Sequence, residues 1–423
     1  MLSQRGERLP LMIDSKIRRY VIIGNGFAGT TAAEQLRKND ASCNITLFTD
    51  EPYPLYNRIS LPPMLRHQIP EAKVMMRTVE WHAEHGIDFF THTKVEHIFP
   101  AEHRVVANGQ SYPYDALLIA TGGRPNGHPA LDSKVVKNVF NFQYLDDTRA
   151  LDAAIDNSAA AVAIGGSFIA YELAEAYAAR GLETHWVMRG KRFLHRMLDE
   201  DAGALVDEAA REQGVHLHYG HEVHEFVCDN DVVKKITLVN GTEIVAQCFG
   251  IGLGLTMNTE LLAGSGIASS KNGILCDDRL ETNIPGIFAA GDIADFYDPI
   301  LEYRYRMGTW NNAGAHGKVV AMNMAGGDER YHDVPEYSSQ LFKGQTITQF
   351  GLSPDLQSEL ESVTHLNVEK KWYRALYFWR DRLVGGLLLG KGNRAGKRKY
   401  VEAIKSKVVF ANDDRRALLE WTA

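Results

Sequence analysis

Short, nearly unbroken apolar runs, each closed by glycine or another small residue, dominate the hydrophobic pattern as far as about Tyr331. Tyr20-Val21-Ile22-Ile23 runs into Gly24-Asn25-Gly26-Phe27-Ala28-Gly29, and the Ala-rich stretch from Thr30 to Leu36 reads as a helix. The same order returns later. Ala159 to Ile164 predicts a strand, Gly165-Gly166-Ser167-Phe168-Ile169-Ala170 a turn, and Phe168 to Arg180 an amphipathic helix. Further strands are expected from Asn44 to Phe48, Tyr114 to Ala120 and Thr184 to Met188. Another lies within Thr282 to Ala294, followed by Gly291 and Asp292 at an expected helix start. Beyond Tyr331 the pattern changes: Gln345 to Gly351, Trp372 to Trp379 and Leu383 to Gly390, with a turn at Arg380-Asp381-Arg382, predict a small antiparallel sheet.

The two glycine-rich turns carry the first candidate chemistry. In the first, Gly24 permits a tight turn, Gly26 lets the backbone approach a pyrophosphate, and Gly29 lets the helix pack on its strand, so that phosphates meet a helix N-terminus. The next strand ends at Asp50 and Glu51, where a carboxylate accepts hydrogen bonds from a ribose. In the second turn Ser167 stands where the phosphate-approach glycine is expected and Ala170 where the packing glycine is expected, with Phe168, Ile169 and the later Gly252 counted in the same site. Two such turns in one chain imply two dinucleotides facing each other, as transfer of a hydride between a nicotinamide and a flavin requires.

Two more segments complete the pattern: Ala120-Thr121-Gly122 closing one strand, and Gly291-Asp292 closing another. In this order the chain resembles the FAD-dependent pyridine nucleotide oxidoreductases from about Ile17 to the C-terminal region. That resemblance implies an α/β fold with two Rossmann-like dinucleotide-binding domains, for FAD and NAD(P), plus a C-terminal α+β domain. It implies FAD at the first glycine turn and the Ala120-Thr121-Gly122 turn, Asp292 on the flavin ribityl chain, and NAD(P)H at the second turn. The expected division is a tail over 1–16, an FAD-binding domain over 17–125 and 252–328, an NAD(P)H-binding domain over 126–251, and an interface domain over 329–423.

The strand from Thr184 ends in Met188 where NAD-type sites place an acid, and Arg189, Lys191 and Arg192 follow. An arginine offers a 2′-phosphate a charge-assisted partner, and the run is similar to the NADPH segment of glutathione reductases, so Arg189 and Arg192 favour NADPH over NADH. A solvated charged loop is the alternative.

Disulfide reductases of the family carry a CxxxxC pair beside the flavin, and other branches a single redox cysteine. Here Ile59 stands at the single-cysteine position, so a thiolate relay is not expected. Tyr56-Asn57-Arg58 instead resembles the branch of rubredoxin reductases, oxygenase-type ferredoxin reductases and the flavin portion of NAD(P)H nitrite reductases. This implies Arg58 near the FAD pyrophosphate and Glu172 near the nicotinamide. It also implies Trp310, in a Trp-x-x-Ala-x-x-Gln-Gly-like helix, against the flavin or on the route of departing electrons. The chain departs from that branch at Pro63, where a lysine is usual, and at His316, which replaces the glutamine.

Composition fits this plan. The 423 residues, 45% hydrophobic, suffice for two or three domains, and a net charge of −7 gives no footprint for nucleic acid. Cys43, Cys228, Cys248 and Cys276 form no close pair, and no apolar run approaches a membrane span, so a cytoplasmic protein without metal or disulfide framework is expected. Lys391, Arg394, Lys397, Arg398 and Lys399 concentrate positive charge in one loop. Such a loop suits an acidic ferredoxin or rubredoxin. The expected function is electron transfer from NAD(P)H through FAD to that carrier, with a homodimer through the C-terminal domain as one arrangement. An oxidase, a flavin subunit of a larger reductase, and a signalling or assembly flavoprotein related to apoptosis-inducing factor are the alternatives.

Overall fold

Residues 17–131 and 136–421 are described by the computed structural model; the expected tail over 1–16 lies outside them. Five parallel strands form the first sheet, in the order Ile287–Ala289, Ala116–Ile119, Arg19–Ile23, Asn44–Phe48, Ile87–Phe90. Five more form the second, in the order Val215–Tyr219, Glu183–Met188, Ala160–Ile164, Cys248–Ile251, Val139–Phe140. The two are built alike: each glycine-turn strand is central, the strand after its helix lies on one side, and a three-stranded antiparallel meander precedes the strand on the other side. The meanders are Val95–Phe99, Arg104–Ala107, Gln110–Pro113 in the first unit and Val223–Asp229, Val232–Leu238, Glu243–Val245 in the second.

Apolar runs become central strands because both faces are covered. In the first sheet Val21, Ile22, Leu117, Leu118 and Ile119 are all buried, and helices Phe27–Asn39 and Trp310–Met324 pack there against each other. Small residues set that approach: a Cβ on Gly317 would lie 2.5 Å from the Ala28 carbonyl oxygen, and one on Gly314 2.6 Å from the Phe27 ring. The antiparallel sheet is also present, with five strands in the order Glu336–Gln340, Thr346–Gly351, Arg382–Leu389, Trp372–Trp379, Glu361–Asn367. Arg380 and Asp381, both at positive φ, make its tight turn.

Three local expectations are corrected. The helix Phe168–Ala179 is not amphipathic: Ala170, Tyr171, Leu173, Ala174, Glu175, Ala176 and Tyr177 are all buried. Its outer side is covered by Arg66, bound to Glu175, and by the Phe342 ring against Tyr171. Gly291-Asp292 opens a single 3-10 turn, Gly291–Ile293, rather than a longer helix. The basic loop is partly helical, since Lys397 begins the helix Lys397–Lys405. No helix among the described residues is long and apolar enough to cross a membrane.

Candidate functional site

The first glycine turn is a cradle made by close backbone approach. Gly24 has φ +111°, and an added Cβ would overlap the Ala120 carbonyl; one on Gly29 would overlap the Gly24 carbonyl. Gly26 differs, because nothing lies within 4 Å of where its Cβ would be. It is also the N-cap of the helix Phe27–Asn39 and gives that helix no side-chain cap. The first-turn N–H groups of Phe27, Ala28 and Gly29 belong to this uncapped N-terminus, an arrangement that fits an anionic pyrophosphate. Thr121 and Gly122 are tied to the returning chain: Thr121 Oγ1 donates to the Asn258 carbonyl at 3.1 Å and Asn258 Nδ2 to the Thr121 carbonyl at 2.9 Å.

The other residues expected at this site converge on the cradle. A Cβ on Gly291 would stand 3.2 Å from that of Ala28, and one on Gly308 would stand 3.1 Å from the Asp292 carboxylate. Burial raises the Asp292 pKa against the opposing charges of Arg306 and Arg58. Trp310, first in its helix, stacks on Phe27 with ring centroids 4.1 Å apart and planes 8° from parallel. Asp50 is exposed. Glu51 is engaged internally, accepting from the Tyr56 hydroxyl and from Arg58 Nη2, each at 2.6 Å. Arg58 also donates to the Gln143 carbonyl at 2.7 Å and lies over the rings of Tyr56 and Tyr144. His316 sits behind Gly291, whose N–H donates to its Nδ1 at 3.3 Å; burial drives its pKa down to about 3, so the ring is neutral.

The second turn repeats the backbone plan of the first. Gly24 N–H donates to the Phe48 carbonyl and Ala120 N–H to that of Ile23; correspondingly, Gly165 N–H donates to Val187 and Gly252 N–H to Ile164. Gly165 has φ +130°, and its Cβ would overlap the Gly252 carbonyl. Ser167 is the N-cap of Phe168–Ala179 but turns its hydroxyl to the Gly252 carbonyl at 2.8 Å, so this N-terminus is uncapped as well. Gly166 borders Met188, with 3.9 Å from its would-be Cβ to the Met188 Cγ. Arg189 is exposed and lies 3.3 Å from Glu222. Arg192 instead turns inward, with Nη1 to the Leu198 carbonyl and Nη2 to Glu200, both at 3.3 Å.

Glu172 lies in the second turn of that second helix, and Ile169 precedes it by about one turn on the partly exposed side. Burial pushes its pKa up to about 8, Glu175 adding to the rise and Arg66 opposing it. Tyr337, from the C-terminal sheet, packs on Phe168 with centroids 4.1 Å apart, and burial, with the nearby Glu172 carboxyl, raises its pKa. Sequence reasoning missed Arg66, Glu175, Tyr337 and Glu222. For Glu175 a signal existed, a second acid one helical turn after Glu172 in an otherwise apolar helix.

The basic loop is less free than its composition suggests. Both oxygens of Glu336 accept from Lys397 at 2.7 Å, Arg394 donates to Ser338 at 2.7 Å, and Arg398 pairs with Glu402 at 3.0 Å. Lys391 and Lys399 remain exposed. Glu336 and Ser338 flank Tyr337 in strand Glu336–Gln340, so the loop is fastened beside the Phe168 turn.

The NAD(P)H nitrite reductase of Bacillus subtilis strain 168 is 28% identical over 383 residues, covering 89% of this chain but only 46% of its own length, so the chain spans about half of that relative. The ferredoxin–NAD(+) reductase component of the p-cumate 2,3-dioxygenase system of Pseudomonas putida is 30% identical over 313 residues, 73% of this chain and 75% of that protein. Among solved structures, the covalent putidaredoxin reductase–putidaredoxin complex matches with a TM-score of 0.86 at 23% identity, covering 95% of this chain and 98% of that one, which establishes the α/β fold with its additional sheet. The family model described as pyridine nucleotide-disulphide oxidoreductase matches residues 18–317, spanning both glycine turns, Asp292 and Trp310, and the chain belongs to that family.

Proposed function

We propose that the chain is an FAD-dependent NAD(P)H oxidoreductase that delivers electrons to a small iron protein of the ferredoxin or rubredoxin kind, without a redox cysteine. The observation that carries this reading is the duplicated glycine turn: two uncapped helix N-termini, each following a central parallel strand, in units bridged by the segment from Tyr56 to His67. FAD, when bound, supplies the conversion between two-electron chemistry at a nicotinamide and one-electron chemistry at an iron centre.

This reading assigns 17–125 and 252–328 to the flavin unit, 126–251 to the nicotinamide unit and 329–423 to the interface unit. Gly24, Gly26 and Gly29, with the N–H groups of Phe27 and Ala28, hold the flavin pyrophosphate; Ala120, Thr121, Gly122, Gly291 and Asp292 line the rest of the cradle. Arg58, braced by Glu51, keeps positive charge beside it, and Asp50 is the exposed acid for the ribose. Gly165, Gly166, Ser167, Phe168, Ile169 and Gly252 form the nicotinamide dinucleotide turn, with Arg189 drawing NADPH ahead of NADH. Glu172 holds a proton at its carboxyl near neutral pH. Trp310, stacked on Phe27, gives electrons a way out, and Lys391 and Lys399 steer an acidic carrier.

Anaerobic mixing with NADPH and with NADH tests this. Rapid flavin bleaching, followed by reoxidation with an added ferredoxin or rubredoxin, is expected. No bleaching would point to a structural or signalling role, and fast peroxide formation without a carrier to an oxidase. A second reading, a flavin subunit of a larger reductase, is favoured by the alignment to 46% of the nitrite reductase; copurification of a haem-containing partner would support it.

A further inference from the structure

The strand Glu183–Met188 lacks a terminal acid, yet an acid stands beside its end. Glu222 follows the neighbouring parallel strand Val215–Tyr219, and backbone bonds draw its loop in: Gly220 N–H donates to the Gly190 carbonyl and His221 N–H to the Met188 carbonyl, each at 3.2 Å. From the far side, Val239 N–H donates to the Glu222 carbonyl at 3.0 Å. The carboxylate so placed meets Arg189, with Nη1 to Oε1 at 3.3 Å. Both groups project at the carboxyl ends of parallel strands, the edge where open α/β sheets bind ligands. Met188, immediately before Arg189, borders the second glycine turn at Gly166.

We infer that Glu222 is a specificity-determining residue, supplying from the adjacent strand the carboxylate that Met188 does not, opposite the cation of Arg189. The inference rests on the reading of the second turn as the nicotinamide dinucleotide site. The side chains of Arg189 and Glu222 are 75% and 54% exposed, so their mutual attraction is screened by water and either is free to exchange its partner for a ligand at little cost. A 2′-hydroxyl donates to Glu222; a 2′-phosphate takes Arg189 but meets repulsion from Glu222. Arg192 adds little toward the phosphate, because its guanidinium faces Leu198 and Glu200. The site therefore accepts both dinucleotides, with Glu222 holding back the preference that Arg189 creates.

Calorimetric titration of the flavin-loaded protein with 5′-AMP and with 2′,5′-ADP isolates the adenosine end. In the wild type the two probes should bind within about tenfold of each other. Glu222→Gln should tighten 2′,5′-ADP and weaken 5′-AMP, moving the ratio of dissociation constants roughly tenfold toward 2′,5′-ADP, as loss of one charged hydrogen-bond partner implies. Glu222→Asp should keep the wild-type ratio, and Arg189→Gln should move it the other way. A ratio unchanged by Glu222→Gln, while Arg189→Gln shifts it, overturns the inference alone. Failure of both probes to bind the wild type overturns the dinucleotide reading of the turn and the inference with it.

Discussion

Arg66 and Glu175 form an ion pair of 2.7 Å with side chains only 8% and 11% exposed, joining the end of the short helix Leu61–Leu65 of one Rossmann-like unit to the glycine-turn helix of the other. Neighbouring bonds reinforce the junction: Arg180 Nη1 donates to the Leu65 carbonyl at 2.8 Å, and His67 lies 2.9 Å from Asp152. The relative placement of the two glycine turns thus depends on a few buried charges rather than on apolar packing alone.

Removing one partner of a buried pair leaves the other charge without compensation. Arg66→Met is therefore expected to destabilise the protein by about 3–5 kcal/mol, measured by chemical denaturation. Arg66→Met combined with Glu175→Leu should recover most of that loss, because two apolar side chains of similar volume need no partner. If the double variant is as unstable as the single, the loss comes from packing of the arginine stem and not from the stranded carboxylate.

Glu172 gives a pH-dependent prediction. Its pKa in the folded chain, about 8, lies above the value near 4.3 of an unfolded chain, so between these pH values the folded state holds a proton that the unfolded state has released. The stability it contributes is fully present below about pH 4.3 and is lost as pH rises through 8. In Glu172→Gln the denaturation midpoint should fall less between pH 5 and pH 8.5 than in the wild type. Equal slopes would mean that Glu172 is ionised in the native state at neutral pH.

What was legible in the sequence was local. The strand expected from Asn44 to Phe48 forms with those bounds, and the glycine turns fold as expected, because the positive φ and close backbone approach of Gly24 and Gly165 arise within their own strand–turn–helix units. What was not legible joins distant residues. Arg66 and Glu175 are separated by 109 positions and Arg189 and Glu222 by 33, and no periodicity announces either pair. The burial of the helix from Phe168 does not show in its own periodicity because its cover comes from elsewhere in the chain, and the basic loop has less free charge than its composition suggests because Glu336, 61 positions away, takes Lys397.

Gly26 separates folding from cofactor retention. Its φ of −70° and ψ of −176° suit any residue, and its Cβ direction is empty, so Gly26→Ala should fold with stability within about 1 kcal/mol of the wild type. The added methyl nevertheless occupies the space before the uncapped helix, and the purified variant should show little visible flavin absorbance per protein. Gly29→Ala, by contrast, drives a Cβ into the Gly24 carbonyl and should lose stability and flavin together. Full flavin occupancy in Gly26→Ala would remove Gly26 from the phosphate site.

The basic loop predicts how association with an acidic carrier responds to charge and salt. Lys391 and Lys399 are exposed, whereas Lys397 is committed to Glu336. Lys391→Glu with Lys399→Glu should slow electron transfer to an acidic ferredoxin by roughly tenfold at low ionic strength, because steering acts on the encounter rate. The difference should shrink as salt shortens the screening length to about 8 Å, near physiological ionic strength. Flavin bleaching by NADPH, which precedes the encounter, should be unchanged in the same variant. Lys397→Gln is the contrasting control: it strands Glu336 beside Tyr337 and should lower stability while leaving the salt dependence of the transfer rate as in the wild type. A double charge reversal that leaves the low-salt rate intact would place the carrier on another face.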